Sequence, residues 1–515
     1  MRNPRIWTES LALVFLAGCG VFGGVDESAP EDAPILAPND SPAPAPALTG
    51  TPAQSDLDET LGVFVAPDGS PSAAGTRALP VSTIAKGVEI AKKSGKRVYV
   101  CEGTYREAIV IEDGISMVGG LDCSSPTWAI GNGRSRVESP SIPAITAKGI
   151  SKTTRFERFD VIAPDASDPS GSSIALFATD AASLTIATSR IEAGNGANGE
   201  DGAPAVQLVQ TGNVNGTAGR GAIDYCFDKR GFNCAANPTP YPGGNGGTSI
   251  CSGAAGFDGE NGGKGGTGGI YESMPPSGAH LTVYWEAFDF NPTYLARSGE
   301  QRTGGVAANG SDGASAAGQG SFSKEGFVPK HGTRGTNGSP GKAGSGGNGA
   351  APAVSAENQN VWYGNSGSGG GAGGCPGLAR GEGKGGGASI AAYLVDSAMT
   401  FDGVELLAKN GGNGGKGTFG SKPTAGGAGG PLVNNIAGTS AKPGTAGGEA
   451  GSSGSGAGGS SFGIVHTGGA PNLVGTTPKA GKAGSGVAAQ SANGKTIPAS
   501  ASGVANEVMG WEVVP

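Results

Sequence analysis

Reactive side chains are scarce in this 515-residue chain, which has seven cysteines and three histidines. The cysteines stand at 19, 101, 123, 226, 234, 251 and 375. Setting Cys19 aside leaves an even number, which in an oxidising compartment reads as disulfides. Cys101–Cys123 and Cys226–Cys234 are the local candidates, and the pairing of Cys226, Cys234, Cys251 and Cys375 stays open. His280, His331 and His466 are scattered singly, against the clustered ligands of a zinc site, so no metal and no cofactor is expected. The carboxylates Glu102, Glu107, Glu112 and Asp113 lie in the stretch from Val98 to Cys123. They fall at corners and strand ends, where such side chains commonly face water. Thr153-Thr154-Arg155-Phe156-Glu157-Arg158-Phe159-Asp160 is the one later charged cluster, and no Asp/Glu/Lys/Arg group in the later strands reads as catalytic. Gly459-Ser460-Ser461-Phe462-Gly463 fits G-x-S-x-G, but a strand-like run follows it instead of the helix of a nucleophile elbow. Ala489 to Thr496 fits a relaxed phosphate loop, yet Pro498 stands against a helix there.

The N-terminus sets the compartment. Arg2 and Arg5 precede the apolar run Leu11 to Leu16, a core too short to span a bilayer, followed by small residues: a secretory signal. Leu16-Ala17-Gly18-Cys19 resembles the bacterial lipobox. That resemblance implies removal of residues 1–18 and lipidation of Cys19, hence a membrane partner through a lipid anchor. Residues 19–60, rich in Pro, Ala, Asp and Glu, read as a tether that buries no core. Net charge is −8 without strong basic clusters, so no nucleic-acid partner is expected. Glycine at 100 residues with 34 prolines points to low-complexity structure in part of the chain.

Structure begins near residue 61. Ile84, Val88 and Ala91 share a helical face between Ser82 as N-cap and Ser94-Gly95 as stop. Val98-Tyr99-Val100, Ala108 to Ile111 and Ile115 to Val118 read as short strands parted by Gly103 and Asp113-Gly114. With Phe64-Val65-Ala66-Pro67-Asp68-Gly69 and Glu102-Gly103-Thr104-Tyr105-Arg106-Glu107, this resembles the opening of right-handed parallel β-helices of the pectate-lyase-like class, over roughly 61–195. The resemblance implies an all-β fold with an N-terminal capping helix. On such a fold Cys101 and Cys123 lie about one coil apart. Stacked coils about 4.8 Å apart suit a disulfide.

Beyond 195 the strand pattern returns. Residues 172–196 align with 388–411 after one deletion, setting Leu184-Thr185-Ile186 on Met399-Thr400-Phe401, and Ser461 to Val465 is a weaker echo. Between them glycine recurs every third residue: Gly253 to Gly268, Gly332 to Gly347 and Gly411 to Gly420. Period three suits polyproline-II segments packed side by side, with flexible loops as the rival reading. Region 196–515 is therefore read as Gly-rich insertions interleaved with further coils.

Coils of this class joined to glycine runs resemble the glycine-rich cell-envelope lipoproteins common in predatory and gliding bacteria. The resemblance implies a non-catalytic surface or adhesion component of the outer membrane, on its periplasmic or outer face, meeting surface polysaccharide or other envelope proteins. The alternative is a polysaccharide-binding or polysaccharide-cleaving protein on the same fold.

Overall fold

Strand outweighs helix by 26% to 4%, and most of the strand lies in parallel sheets, so the fold is all-β. The computed structural model describes residues 50–221, 241–253, 255–268, 296–350, 353–354, 361–362, 364–432 and 440–512. Cys19, Cys226, Cys234 and His280 lie outside the described residues.

Three sheets carry the architecture. The first is built from Gly62–Val65, Arg97–Cys101, Met117–Asp122, Thr154–Glu157, Leu184–Ala187, Thr400–Asp402 and Asn472–Val474, with Ala129–Ile130 paired antiparallel to the end of Met117–Asp122. The second holds Thr104–Tyr105, Ser135–Glu138, Phe159–Ile162, Arg190–Glu192, Glu405–Leu407 and Thr477–Lys479. The third holds Ile109–Ile111, Ile145–Lys148, Ser173–Thr179, Ser389–Val395, Ser461–His466 and Ala505–Gly510. From Arg97 onward the chain visits first, second and third sheet in turn, and each circuit pairs in parallel with the one before.

Alternation along each strand sends every second side chain inward, and parallel register stacks those side chains circuit upon circuit. In the first sheet the column is Val98, Met117, Phe156, Ile186, Phe401 and Leu473. In the second it is Tyr105, Val137, Val161, Ile191, Leu406 and Pro478. In the third it is Ile109, Ile145, Leu176, Ala392, Ile464 and Val508. The upper parts of the three columns form one buried core. The repeat alignment read from sequence is the actual register: Thr185 pairs with Thr400, Ile186 with Phe401 and Ser389 with Ser461.

Corners stack as well, because one left-handed residue turns the chain sharply. Arg158, Thr188, Gly403 and Gly475 occupy the corner between first and second sheets, with φ of 61°, 44°, 62° and 58°. Gly149, Asp180, Asp396 and Gly468 do the same between third and first sheets, with φ from 49° to 75°. The non-glycine members pay a backbone strain that glycine avoids.

The expected helix forms as Ile84–Ser94 and packs Ile84, Val88 and Ala91 inward. Its N-cap is Thr83, not Ser82: the Thr83 hydroxyl accepts the Lys86 N–H, and Gly95 closes the other end at φ 64°. Of the four carboxylates expected to face water, Glu102 is exposed, while Glu107, Glu112 and Asp113 are tied into the scaffold. Glu107 accepts the N–H groups of Ile84 and Ala85 at 2.8 and 3.0 Å, at the positive end of the helix dipole. Glu112 pairs with Lys92 at 2.9 Å. Asp113 accepts from the N–H groups of Ser151 and Lys152. Cys101 and Cys123 are joined, with Cα atoms 5.8 Å apart.

In the early circuits the link from second to third sheet is short. It then expands into 193–388, 408–460 and 480–504, which hold the glycine runs. Their main chains are hydrogen-bonded to one another. Gly262 and Gly265 donate to Gly247 and Gly244, and Gly263 and Gly266 to Gly344 and Gly347. A Cβ on Gly259, Gly262, Gly265 or Gly268 would lie about 2 Å from the carbonyl oxygen of Gly373, Gly370, Gly367 or Gly364, so only glycine fits. Gly253 and Gly256, counted in the same run from sequence, instead form a turn at φ 111° and 81° with nothing crowding them. Cys251 and Cys375, 124 residues apart, close a second disulfide inside this region.

Candidate functional site

The outer faces of two sheets are partly covered by the chain itself. On the first, Phe64, Tyr99 and Val118 are buried under Leu57 and Trp128, and the Tyr99 hydroxyl donates to the Asp56 carbonyl at 2.7 Å. Gly50 and Thr51 contact Arg97 and Arg155 there, so packing begins within the stretch read as a tether. On the third, the hairpin of Ser321–Ser323 and Gly326–Val328 lays Phe322 and Phe327 over Tyr393 and Phe462. The second sheet carries a charged outer face.

That face holds a cluster the sequence reading did not find. Register stacks Arg136, Asp160, Arg190 and Glu405 in one column. Arg136 reaches Asp160 at 3.1 Å and Glu138 at 3.0 Å. Arg190 reaches Asp160 at 3.5 Å and also pairs with Glu192. Arg134 meets Glu405 at 3.0 Å and Lys409 meets Glu192 at 3.3 Å. The charges come from four circuits, Arg134, Arg136 and Glu138 from one and Asp160, Arg190 with Glu192, and Glu405 with Lys409 from the others, so no local window of sequence shows the whole cluster. The carboxylates Glu138 and Asp160 flanking Arg136 hold its guanidinium above the ordinary arginine range, the Glu138 hydrogen bond being the largest cause. All four carboxylates already have cationic partners, an arrangement suited to binding through a fixed pattern of donors and acceptors.

The cluster from Thr153 to Asp160 is divided by the corner at Arg158. Glu157 is buried on the first sheet, between Arg155 at 2.6 Å and Arg158 at 3.6 Å, while Asp160 lies on the second. The other motifs dissolve in context. Ser461 is buried, and its hydroxyl donates to the Lys409 carbonyl. The phosphate-loop candidate is a hairpin of Gln490–Ala492 and Lys495–Ile497, with Lys495 bonded to the Ala450 carbonyl and paired with Glu449. His331 accepts the Gly385 N–H through Nδ1, and among the described residues no group of three His, Cys, Asp or Glu could hold a metal ion.

Below the charged column the same ladder changes period without breaking. After Ala193 donates to Leu407, Gly196, Gly199 and Gly202 donate to Asn410, Asn413 and Lys416, one bond every third residue. The residue before each glycine completes a second ladder. The N–H groups of Asn410, Asn413 and Lys416 donate to the side-chain oxygens of Asn195, Asn198 and Asp201. Lys482 and Ser485 repeat this on Asn410 and Asn413. The sequence signal for it is Asn or Asp immediately before the periodic glycine, as in Asn195-Gly196, Asn198-Gly199, Asp201-Gly202, Asn410-Gly411 and Asn413-Gly414.

Buried serines join this lattice to the third sheet. The Ser173 hydroxyl accepts the Gly194 N–H, Ser389 donates to the Gly194 carbonyl and accepts the Lys409 N–H, and Ser461 donates to the Lys409 carbonyl and accepts the Gly481 N–H.

No protein-family model, no curated protein and no solved structure matches this chain.

Proposed function

We propose that this chain is a non-catalytic lipoprotein of the bacterial cell envelope, held to the outer membrane by a lipidated Cys19 and serving a structural or adhesive role at the surface. In this reading the three-sheet circuits are a right-handed parallel β-helix of the pectate-lyase-like class, and the glycine lattice is a set of polyproline-II segments. Three residues per turn would bring each glycine to the same crowded side, which supports that conformation. The observation carrying the functional reading is the second-sheet face, whose carboxylates are all ion-paired on a rigid hydrogen-bonded scaffold. The same row of charges favours the second reading, a polysaccharide-binding or polysaccharide-cleaving protein. Against cleavage stands the pairing itself, since a general acid or base needs a carboxyl free to exchange its proton.

Two measurements test this. Cys19→Ser should move the protein from the detergent phase to the soluble phase, and an unchanged distribution removes the anchor. Incubation with a panel of neutral and acidic polysaccharides should release no shortened chains, and the appearance of unsaturated or reducing ends would establish the enzyme instead.

A further inference from the structure

Beside the Asn ladder lies an open pocket of about 620 Å³, lined by Asp165, Ser167, Pro169, Asn195, Asn198 and Asn410 together with neighbouring glycines and alanines. We propose that this pocket holds a neutral, hydroxyl-rich polymer, a polysaccharide without ionised groups. The inference rests on the adhesive reading above and names the ligand class for it.

The argument starts from the carboxamides. The Oδ1 atoms of Asn195, Asn198 and Asn410 are each taken by a main-chain N–H of the next segment, which fixes the plane of each amide. The Nδ2 donors have different fates. That of Asn195 is spent on both carboxylate oxygens of Asp165 at 3.2 Å. Those of Asn198 and Asn410 have no partner among the described residues, and both side chains stand exposed at the pocket. Amide planes held by the backbone therefore present donors at fixed positions, with the cost of ordering them already met by the fold.

The surroundings match a sugar's two kinds of surface. Gly196 and Gly411 leave bare backbone in the wall, and Ala166, Ala197 and Pro169 add small apolar patches suited to the C–H face of a pyranose ring. Asp165 supplies a charged acceptor for hydroxyls. Its carboxyl is held below the ordinary range chiefly by the Asn195 N–H, so it carries its charge at neutral pH. Asp165 is the sole ionisable group in the lining, and with Lys409 acting on it from outside, no lysine or arginine lines the pocket to pair with the carboxylate of a uronate.

The test exploits a feature of the ladder. Asp201 and Asp312 accept main-chain N–H groups as the asparagines do, so aspartate preserves the ladder while removing the amide donor. Full-length protein is assayed for retention on insoluble neutral polysaccharides, cellulose and chitin, and on an acidic one, polygalacturonate. Wild type should be retained on a neutral polymer at low and high salt alike, without preference for the acidic one. The double variant Asn198→Asp/Asn410→Asp should bind about tenfold more weakly, the effect of losing one or two good hydrogen bonds. Its thermal midpoint, measured alongside, should match wild type. Absence of wild-type retention on either neutral polymer overturns the proposal, as does a variant retained like wild type. Binding to isolated cell envelopes is followed in parallel: if it persists while neutral polysaccharides are ignored, the ligand assignment falls and the adhesive role stands.

Discussion

Single hydroxyls and single backbone angles account for much of how the circuits hold together, and both are open to mutation. Ser389 is fully buried and bridges the Gly194 carbonyl and the Lys409 N–H, at 2.6 and 2.8 Å. Ser389→Ala leaves both unpaired in the buried interior, which costs about 1–3 kcal/mol per stranded group. A clear drop in the denaturant midpoint at constant slope is the expected outcome, and an unchanged midpoint would show that the serine ladder contributes nothing. Thr188 makes the opposite case. It is an exposed β-branched residue at φ 44°, where glycine stands in the two following circuits. Thr188→Gly should therefore stabilise the protein by about 1 kcal/mol, read as a higher midpoint. At this scale the sequence was only half legible. The alignment of 172–196 with 388–411 places the apolar positions in true register, and Ser173, Ser389 and Ser461 recur in the same repeats, but a serine on a strand carries no sign of burial by itself. The alignment that sets Ile191 on Leu406 also sets Arg190 on Glu405, but Arg136 and Asp160 lie in earlier circuits with no matching repeat and could not be added to them from sequence.

Among elements, the strands and helix were legible because their periods of two and 3.6 are written in apolar residues that bury. The helix boundary shifted by one cap residue, since Ser82 and Thr83 carry the same capping chemistry and only geometry chooses between them. Glu107 was not legible as a helix partner, because it sits on a later turn of the chain. The glycine runs were legible as period three but not as one lattice, because the same period also runs through their partners, such as Gly364, Gly367, Gly370 and Gly373, and a shared period does not say which segment lies against which. The lattice predicts a sharp contrast. A Cβ on Gly338 would lie 2.0 Å from the Gly448 oxygen, whereas Gly318 has nothing within 4 Å. Gly338→Ala should cost about 2–3 kcal/mol and Gly318→Ala close to nothing. Equal tolerance at both sites, with fast amide exchange across 332–347, would mean the segments are not packed as described. Ion pairs between segments add a pH dependence. Glu260 is held below the ordinary carboxylate range, first by the Lys342 ammonium that donates to it and then by the Ala343 N–H. A folded value below the unfolded one gives stability that is present above the ordinary carboxylate range and lost as pH falls through the folded value. Thermal midpoints should thus decline on acidification below about pH 4, and Glu260→Gln should flatten that decline.

The whole molecule poses a different question: whether the circuits and the glycine lattice are one cooperative body or two. Continuity of the second-sheet ladder through Ala193 to Gly202 argues for one, since the hydrogen bonds pass from strand to lattice without a gap. The two disulfides sit on opposite sides of that junction. Cys101–Cys123 closes 22 residues among the early circuits, while Cys251–Cys375 closes 124 within the lattice, where Leu208 and Leu378 pack against it. By loop-closure entropy the first contributes about 3 kcal/mol and the second about 5 kcal/mol. Glycine makes the second matter more than its length alone suggests, because each ordered glycine surrenders more backbone freedom than any other residue and the lattice has few apolar side chains to offset the loss. Cys251→Ser/Cys375→Ser should therefore lower the unfolding midpoint further than Cys101→Ser/Cys123→Ser. If the body is one, circuits and lattice will still unfold together, so amide exchange in the circuit strands and amide exchange in 241–268 give the same midpoint. Divergence of the two probes in the Cys251→Ser/Cys375→Ser protein, with the circuits intact while 241–268 exchanges freely, would instead make the disulfide the main tie holding the lattice and the shared ladder a minor one.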